Sequence, residues 1–167
     1  MSVALDDSFL ASPVPGALSE PPATTLALDG LPDLMGFHLR LAYVALYRSF
    51  AATLGELQLT QKQVAVLRLI SANPGVAQVD IGGVLGMDRA STMAVVDRLQ
   101  QRGFIVRKRC VSDRRRQELY LTDPGAKVVR EAKRAIVEHE ARFAERFDEA
   151  ELAQVVEALR RIHGQPF

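Results

Sequence analysis

A single pair of strand-like segments interrupts an otherwise helical pattern, and this combination restricts the fold more than any other feature of the chain. The segments FIVRKRCV and RQELYLT carry the β-branched and alternating residues that are typical of strands. A charged turn, Ser112–Arg115, joins them. The pattern predicts one β-hairpin with a cationic tip, in a mainly α chain with a small β-wing.

Two helical segments precede the hairpin region. The first runs from about Leu31 to Leu54 and holds too many apolar residues for a lone surface helix, so another surface must cover it. A second chain is one source of such a surface. The next segment begins at Thr60, which is predicted to form a capping box with Gln63, and it ends at the turn that starts with Asn73.

A short helix and a polar helix follow. The short helix spans about Gln78–Leu85, where Gly82 and Gly83 weaken the helix and indicate that something packs closely against it. Asp88 is the predicted N-cap of the polar helix, and Gly103 ends that helix. In the polar helix the residues expected to face inward are Met93, Val96 and Leu99, and those expected to face outward are Arg89, Ser91, Thr92 and Arg98.

The two ends of the chain differ in character. Beyond the hairpin, charged helical stretches are expected at about residues 126–147 and 149–162. Residues 1–30 carry only acidic charges and are rich in proline, which predicts a flexible N-terminal arm. The alternative is an arm that lies over a partner subunit, with Phe9, Leu10 and Leu18 as anchors.

The near-zero net charge conceals a strongly basic segment. The chain has 21 Lys and Arg against 20 Asp and Glu, a net charge of +1. Between Asp88 and Glu118, however, nine basic residues stand against four acidic ones, so this segment carries +5 and the rest of the chain carries −4. The positive excess falls on the polar helix and the hairpin, two elements that fit DNA grooves.

The order of the elements is that of a helix-turn-helix followed by a wing, in which the second helix enters the major groove. On this interpretation Arg89 reads guanine, while Ser91 and Thr92 contact phosphates or base edges. Arg114 and Arg115 at the hairpin tip suit the narrow minor groove of A·T-rich DNA. The residues expected to bind DNA are Arg89, Ser91, Thr92, Arg98, Arg114 and Arg115.

Three segments resemble the MarR family of winged-helix transcriptional regulators. They are LTQKQVAVLRLI, IGGVLGMDRASTMAVVDRLQQRGFIVR and, most specifically, the wing DRRRQELYLTDPG. The wing has the family pattern of Asp-x-Arg, alternating strand residues, Leu-Thr and a Gly. With the helices on either side, the resemblance covers about residues 31–163. The chain departs from it at Gly82 and Gly83, where the family normally has alanine or larger residues.

The resemblance implies a homodimer that binds a palindromic operator as a repressor, with half-sites about one helical turn apart. With the flexible arm at 1–30 outside it, the resemblance implies a dimerisation helix at 31–58, a winged helix-turn-helix DNA-binding lobe at 59–125 and C-terminal dimerisation helices at 126–167. It also implies that Asp113 pairs with arginine to shape the wing and that Arg115 contacts the minor groove.

Many members of the family respond to a small anionic aromatic compound, and the segment FHLRLAYVALYRSF resembles the subgroup that controls hydroxycinnamate or related aromatic degradation, where acyl-CoA thioesters are effectors. An arginine beside phenols can hold a carboxylate or phosphate while the rings stack on an aromatic body. The alternative is that the tyrosines pack in the dimer core and the arginines pair between subunits. The residues expected to bind the effector are His38, Arg40, Tyr43, Tyr47 and Arg48.

Other classes of protein fit the sequence less well. Phe143 replaces the second His of an H-E-x-x-H site that would begin at His139, and nucleotide-binding and nucleophile motifs are missing, so we expect no enzyme, cofactor or metal site. The single Cys110 suits the reducing cytoplasm and reads as an ordinary strand residue rather than a redox sensor. We expect neither a membrane span nor a signal peptide. The alternative function is a winged-helix module that binds protein, whose hairpin tip would be apolar.

Overall fold

The computed structural model describes residues 26–109 and 117–164, and the chain divides into two compact units, residues 1–48 and 49–167. The described residues confirm the mainly α fold with a small β-wing. After a 3₁₀ turn at Leu31–Asp33, the helices are α1 (Met35–Thr53), α2 (Gln61–Ala72), α3 (Gln78–Leu85), α4 (Arg89–Gln101), α5 (Asp123–Ala144) and α6 (Glu149–His163). The strands are β1 (Val76–Ala77), β2 (Ile105–Arg109) and β3 (Gln117–Leu121).

Local capping explains where the helices begin. The capping box at Thr60 is confirmed, since its hydroxyl accepts from the Gln63 amide at 3.2 Å and the Gln63 side chain accepts from the Thr60 amide at 3.0 Å. Asp88 caps α4 as predicted. Helix α5 starts three residues earlier than expected because the Thr122 hydroxyl accepts from the Gly125 amide and proline is well suited to the first turn.

The three strands form an antiparallel sheet in the order β1-β3-β2. The predicted hairpin is confirmed, with Ile105 opposite Leu121 and Arg109 opposite Gln117. Strand β1 pairs Val76 with Leu119 and was not predicted, because two residues are too few to display an alternating pattern. The hairpin tip, residues 110–116, lies outside the described residues.

The hydrophobic core of the unit 49–167 joins the helix-turn-helix to the hairpin. Leu67 of α2, Ile81 of α3, Leu99 of α4 and Leu119 of β3 are each at most 1% exposed. Burying a side chain of this size contributes about 1.5–3 kcal/mol. One continuous core therefore holds α4 and the hairpin in a defined mutual orientation.

A glycine near the start of α5 allows that helix to approach the chain between α4 and β2. A Cβ atom at Gly125 would overlap the carbonyl oxygen of Phe104. Beside it, the Thr122 amide donates to the same Phe104 oxygen at 3.0 Å, and the Thr122 hydroxyl donates to the Gly103 oxygen at 2.6 Å. The Thr and Gly positions of the wing pattern thus have a structural reason, because Thr122 and Gly125 dock α5 against the base of the hairpin.

Candidate nucleic-acid interface

The turn between α3 and α4 is closed by a buried threonine. The Thr92 hydroxyl donates to the Asp88 carbonyl oxygen at 2.7 Å, and the side chain is only 2% exposed. A Cβ atom at Gly82 would come within 2.9 Å of that hydroxyl oxygen and within 3.2 Å of the Met87 carbonyl oxygen. The close packing expected at the paired glycines is therefore found at Gly82, whereas Gly83 faces open space.

This packing corrects the sequence-based orientation of α4. Thr92 was expected to point outward toward DNA, and this is wrong, because its hydroxyl is buried against Gly82. Met93 was expected to face inward and is instead 49% exposed. The inward positions of Val96 and Leu99 are confirmed.

The first turn of α4 uses its polar groups for capping. The Asp88 carboxylate accepts from the Ser91 amide at 2.8 Å and from the Ser91 hydroxyl at 2.6 Å. Ser91 is partly buried, and its hydrogen bonds with Asp88 stabilise the start of the helix. Its role as a DNA contact remains a prediction.

The outward face of α4 combines cations with small and apolar side chains. Arg89 and Arg98 are exposed, as predicted. Ala90, Met93 and Ala94 share this exposed surface, and sequence reasoning did not single them out as functional residues. Next to them, an open groove of about 840 Å³ runs between α3, the start of α4 and Gln117 of β3.

The cations of the hairpin region fall into two groups. Arg107 of β2 pairs with Asp97 of α4 and donates to the Gln100 side chain, which ties the hairpin to the helix. Arg102 donates to the carbonyl oxygens of Leu57 and Gln58 at 3.1 and 2.7 Å, so it holds the segment before α2. These structural roles were not predicted, because they depend on contacts between residues distant in the chain.

The remaining described cations of the hairpin are exposed on β2. Lys108 lies over the Tyr120 ring with its ammonium 4.7 Å from the ring centroid, and Arg109 is the last residue of the strand. Both precede the hairpin tip. Asp113, Arg114, Arg115 and Cys110 lie outside the described residues, so their assigned roles remain predictions.

A second candidate site lies on α1, in the other unit. The rings of Tyr43 and Tyr47 have centroids 5.9 Å apart and are tilted by 33°. Burial raises the pKa of the Tyr43 phenol, and the neighbouring Tyr47 raises it further. A phenol with a raised pKa stays protonated at neutral pH and can donate a hydrogen bond to an anion.

The other residues predicted for this site differ in their surroundings. A ring nitrogen of His38 lies 2.7 Å from the carbonyl oxygen of Pro32, so His38 is engaged with the preceding 3₁₀ turn. The Nε atom of Arg48 is buried and makes no hydrogen bond to the described residues. A buried guanidinium nitrogen without an acceptor is costly, and an anionic ligand would satisfy it. Arg40 is exposed on the same helix.

The described part of the chain offers no alternative centre for metal chemistry. Among residues 26–109 and 117–164, no group of three His, Cys, Asp or Glu side chains is placed to hold a metal ion. His139 is 2% exposed and packs between Phe50 and Phe143, with ring centroids 5.6 and 5.3 Å away. None of the helices in these residues combines the length and apolar character that a membrane crossing requires.

Comparison of the chain with known proteins identifies a family whose members share its sequence pattern. The model of the MarR family matches residues 59–116. A putative transcriptional regulatory protein for the hcr operon of Thauera aromatica is 33% identical over 132 residues, which span 78% of this chain and 80% of that protein.

Solved structures of regulators match over a still larger share of the chain. The transcriptional repressor CouR bound to a 23-mer DNA duplex superposes with a TM-score of 0.79 at 34% identity, covering 84% of this chain and 99% of that one. CouR bound to p-coumaroyl-CoA superposes with a TM-score of 0.77 at 31% identity, covering 85% of this chain and 99% of the other.

Proposed function

The chain belongs to the MarR family, and from this membership we propose that it is a homodimeric transcriptional repressor that a small aromatic acid, or its CoA thioester, releases from a palindromic operator. It acts in the cytoplasm, without catalysis and without a metal or cofactor. The observation that carries the proposal is the exposed face of α4, with Arg89 and Arg98, locked to the hairpin through the pair of Asp97 with Arg107.

DNA binding follows from the geometry of this surface. An α-helix fits the major groove of B-DNA, and its exposed guanidinium groups can reach bases or phosphates. The hairpin that α4 holds in place carries further cations on β2 and, in the sequence, at its tip. We assign phosphate or base contacts to Arg89 and Arg98, minor-groove contacts to Arg114 and Arg115, and the shaping of the wing to Asp113. Because the Ser91 hydroxyl donates to Asp88, Ser91 can contribute to DNA binding only through the hydrogen-bonding capacity that this capping bond leaves free.

Dimerisation accounts for apolar surface that each unit leaves exposed. Leu34, just before α1, and Met35 and Leu41 on α1 are 54%, 62% and 50% exposed. On α6, Leu159 and Ile162 are 41% and 49% exposed, although their helix has an apolar face. Surfaces of this kind are typical of obligate interfaces, so we assign residues 31–58 and 126–167 to dimerisation and residues 59–125 to DNA binding.

Effector binding is assigned to α1. Tyr43 and Tyr47 offer neighbouring rings, and Arg48 offers a buried nitrogen that lacks an acceptor among the described residues. This set suits an aromatic body that carries an anionic group. The structure of the related repressor CouR with p-coumaroyl-CoA supports the same class of compound. Arg40 and His38 complete the proposed site.

The test is selection of bound sequences from a randomised duplex library, followed by a gel-shift titration of the best duplex. We expect a palindromic site, and we expect Arg115→Ala to weaken binding by about a hundredfold or more, since a charged hydrogen bond contributes about 1.5–3 kcal/mol and the dimer loses two. Arg130→Ala, which removes an exposed arginine of α5, is the matched control.

Two outcomes would contradict the proposal. If the dimer enriches no duplex, DNA binding is wrong and the protein-binding winged helix takes its place. If Arg115→Ala and Arg130→Ala bind equally well, the wing tip does not contact the operator. Sedimentation of each variant establishes that the dimer is intact in both cases.

A further inference from the structure

The N-terminal half of α4, which enters the major groove in a helix-turn-helix, presents mainly apolar side chains outward. Ala90 and Ala94 are exposed, and Met93 is 49% exposed. These residues are spaced i, i+3 and i+4, so they form one patch on one side of the helix. We call them the apolar patch of α4.

The polar residues around this patch are engaged within the protein. The Ser91 hydroxyl donates to Asp88 at 2.6 Å, and the Thr92 hydroxyl is buried. Asp97, the next residue along the groove-facing side, is paired with Arg107. Because this pairing neutralises the Asp97 carboxylate, the charged groups left beside the apolar patch are the exposed Arg89 and Arg98. An apolar patch flanked by cations complements a groove that is bordered by phosphates.

We propose that Ala90, Met93 and Ala94 read the 5-methyl groups of thymines in the operator. The thymine methyl is the apolar group that the base edges present in the major groove, and alanine side chains are established partners for it. This inference rests on the proposed DNA-binding function and adds the chemical feature that α4 recognises. Arg89 at the start of the helix adds a contact to guanine.

The size of the patch limits how many bases it can read. With a rise of about 1.5 Å per residue, Ala90 and Ala94 lie about 6 Å apart along the helix axis. Successive base pairs are separated by about 3.4 Å. The patch therefore spans about two base-pair steps, and each half-site is expected to contain one or two thymines whose methyl groups contribute to binding.

The experiment removes only the methyl groups. The protein first selects its preferred sites from a randomised duplex library, and each thymine of the best site is then replaced singly by uracil, which keeps base pairing and lacks the methyl. We expect uracil at one or two positions of each half-site to weaken binding about fourfold per methyl group, the effect of exposing one buried apolar carbon. Uracil elsewhere should change nothing.

Variants then assign the effect to α4. Met93→Ala, Ala90→Gly and Ala94→Gly shorten the three side chains in turn, and at least one of them should bind the thymine and uracil duplexes equally well. Leu26→Ala is the matched control, because Leu26 is an exposed apolar residue, 73% accessible, that precedes α1 and lies outside the segments assigned to dimerisation and DNA binding. It should retain the full preference for thymine.

The outcomes separate this inference from the proposed function. Tight binding of the selected site with no sensitivity to uracil at any position overturns methyl recognition and leaves the DNA-binding function standing. Sensitivity that persists in all three α4 variants also overturns it, because another element must then read the methyl. Failure to enrich any duplex overturns both.

Discussion

Arg107 on β2 pairs with Asp97 on α4, and the same guanidinium group donates to Gln100 one turn further along the helix. The two elements that the proposed function places in neighbouring grooves of DNA are thus joined by side chains as well as by the shared core. The pair occupies the Arg107 guanidinium, which is then unavailable to DNA, and it neutralises the Asp97 carboxylate, which would otherwise repel phosphates. It adds to the shared core in orienting the hairpin relative to the helix.

A double-mutant cycle with Arg107→Ala and Asp97→Ala measures this link. The Arg107 side chain is 20% exposed and the Asp97 side chain 44%, so we expect a coupling free energy of about 0.5–1 kcal/mol in urea unfolding, the range of partly solvated pairs. Arg107→Ala should also weaken operator binding. A coupling free energy of zero would show that the core alone orients the hairpin.

The neighbouring glycines of α3 should respond oppositely to alanine. Gly83→Ala should raise the free energy of unfolding by about 0.5–1 kcal/mol, because its Cβ enters open space and alanine favours the helix. Gly82→Ala should lower it by about 1–3 kcal/mol, because its Cβ meets Thr92 and the Met87 carbonyl oxygen. Urea unfolding at one fixed protein concentration checks both, and effects of the same sign would contradict the packing of this turn.

Operator affinity should fall steeply with salt. Each phosphate contact contributes about −0.9 to the slope of log K against log salt concentration. Arg98→Ala should make this slope about 1.8 less negative in the dimer, since each subunit loses one contact. Fluorescence anisotropy measures the slope between about 50 and 200 mM salt, a range over which the affinity is expected to change strongly. Arg130→Ala serves as the control, and an unchanged slope in Arg98→Ala would remove Arg98 from the interface.

An aromatic acyl-CoA should stabilise the protein through α1. We expect p-coumaroyl-CoA or an aromatic acid to raise the melting temperature. At a ligand concentration of 100 times the Kd, the free energy of unfolding should increase by about 2.7 kcal/mol. Arg48→Met and Arg40→Ala should each weaken binding about tenfold, because each removes a charge-assisted hydrogen bond. Every shift is measured against the ligand-free melting temperature of the same variant. Equal shifts in wild type and both variants would place the effector elsewhere.

A charge on the apolar face of α6 should break the dimer. Leu159→Glu places a carboxylate where 41% of a leucine is exposed in the single chain, and burying that charge in an interface is unfavourable. Gln154→Glu introduces the same charge at an exposed polar position of the same helix and should leave the dimer intact. Sedimentation velocity distinguishes the two, and a dimeric Leu159→Glu would exclude this part of α6 from the interface.

The order and type of the elements could be predicted because their signals are local. A capping residue such as Thr60 or Asp88 acts on amides three residues away, and alternation in the hairpin is visible within five residues. The basic segment was visible for the same reason, since charge can be counted along the chain. These local signals sufficed for the helix-turn-helix, the hairpin and the choice of α4 and the hairpin as the elements that carry the basic charge.

The rotation of α4 about its own axis could not be read from the chain. Thr92 and Met93 are neighbours that differ by about 100° around the helix, and either could face the core on hydropathy alone. The packing of α3 against α4 determines the rotation, because Gly82 has no side chain and leaves room for the Thr92 hydroxyl, while Met93 stays exposed. The two-residue strand β1 and the pair of Asp97 with Arg107 depend in the same way on parts of the chain that meet only after folding, and no local pattern encodes such contacts.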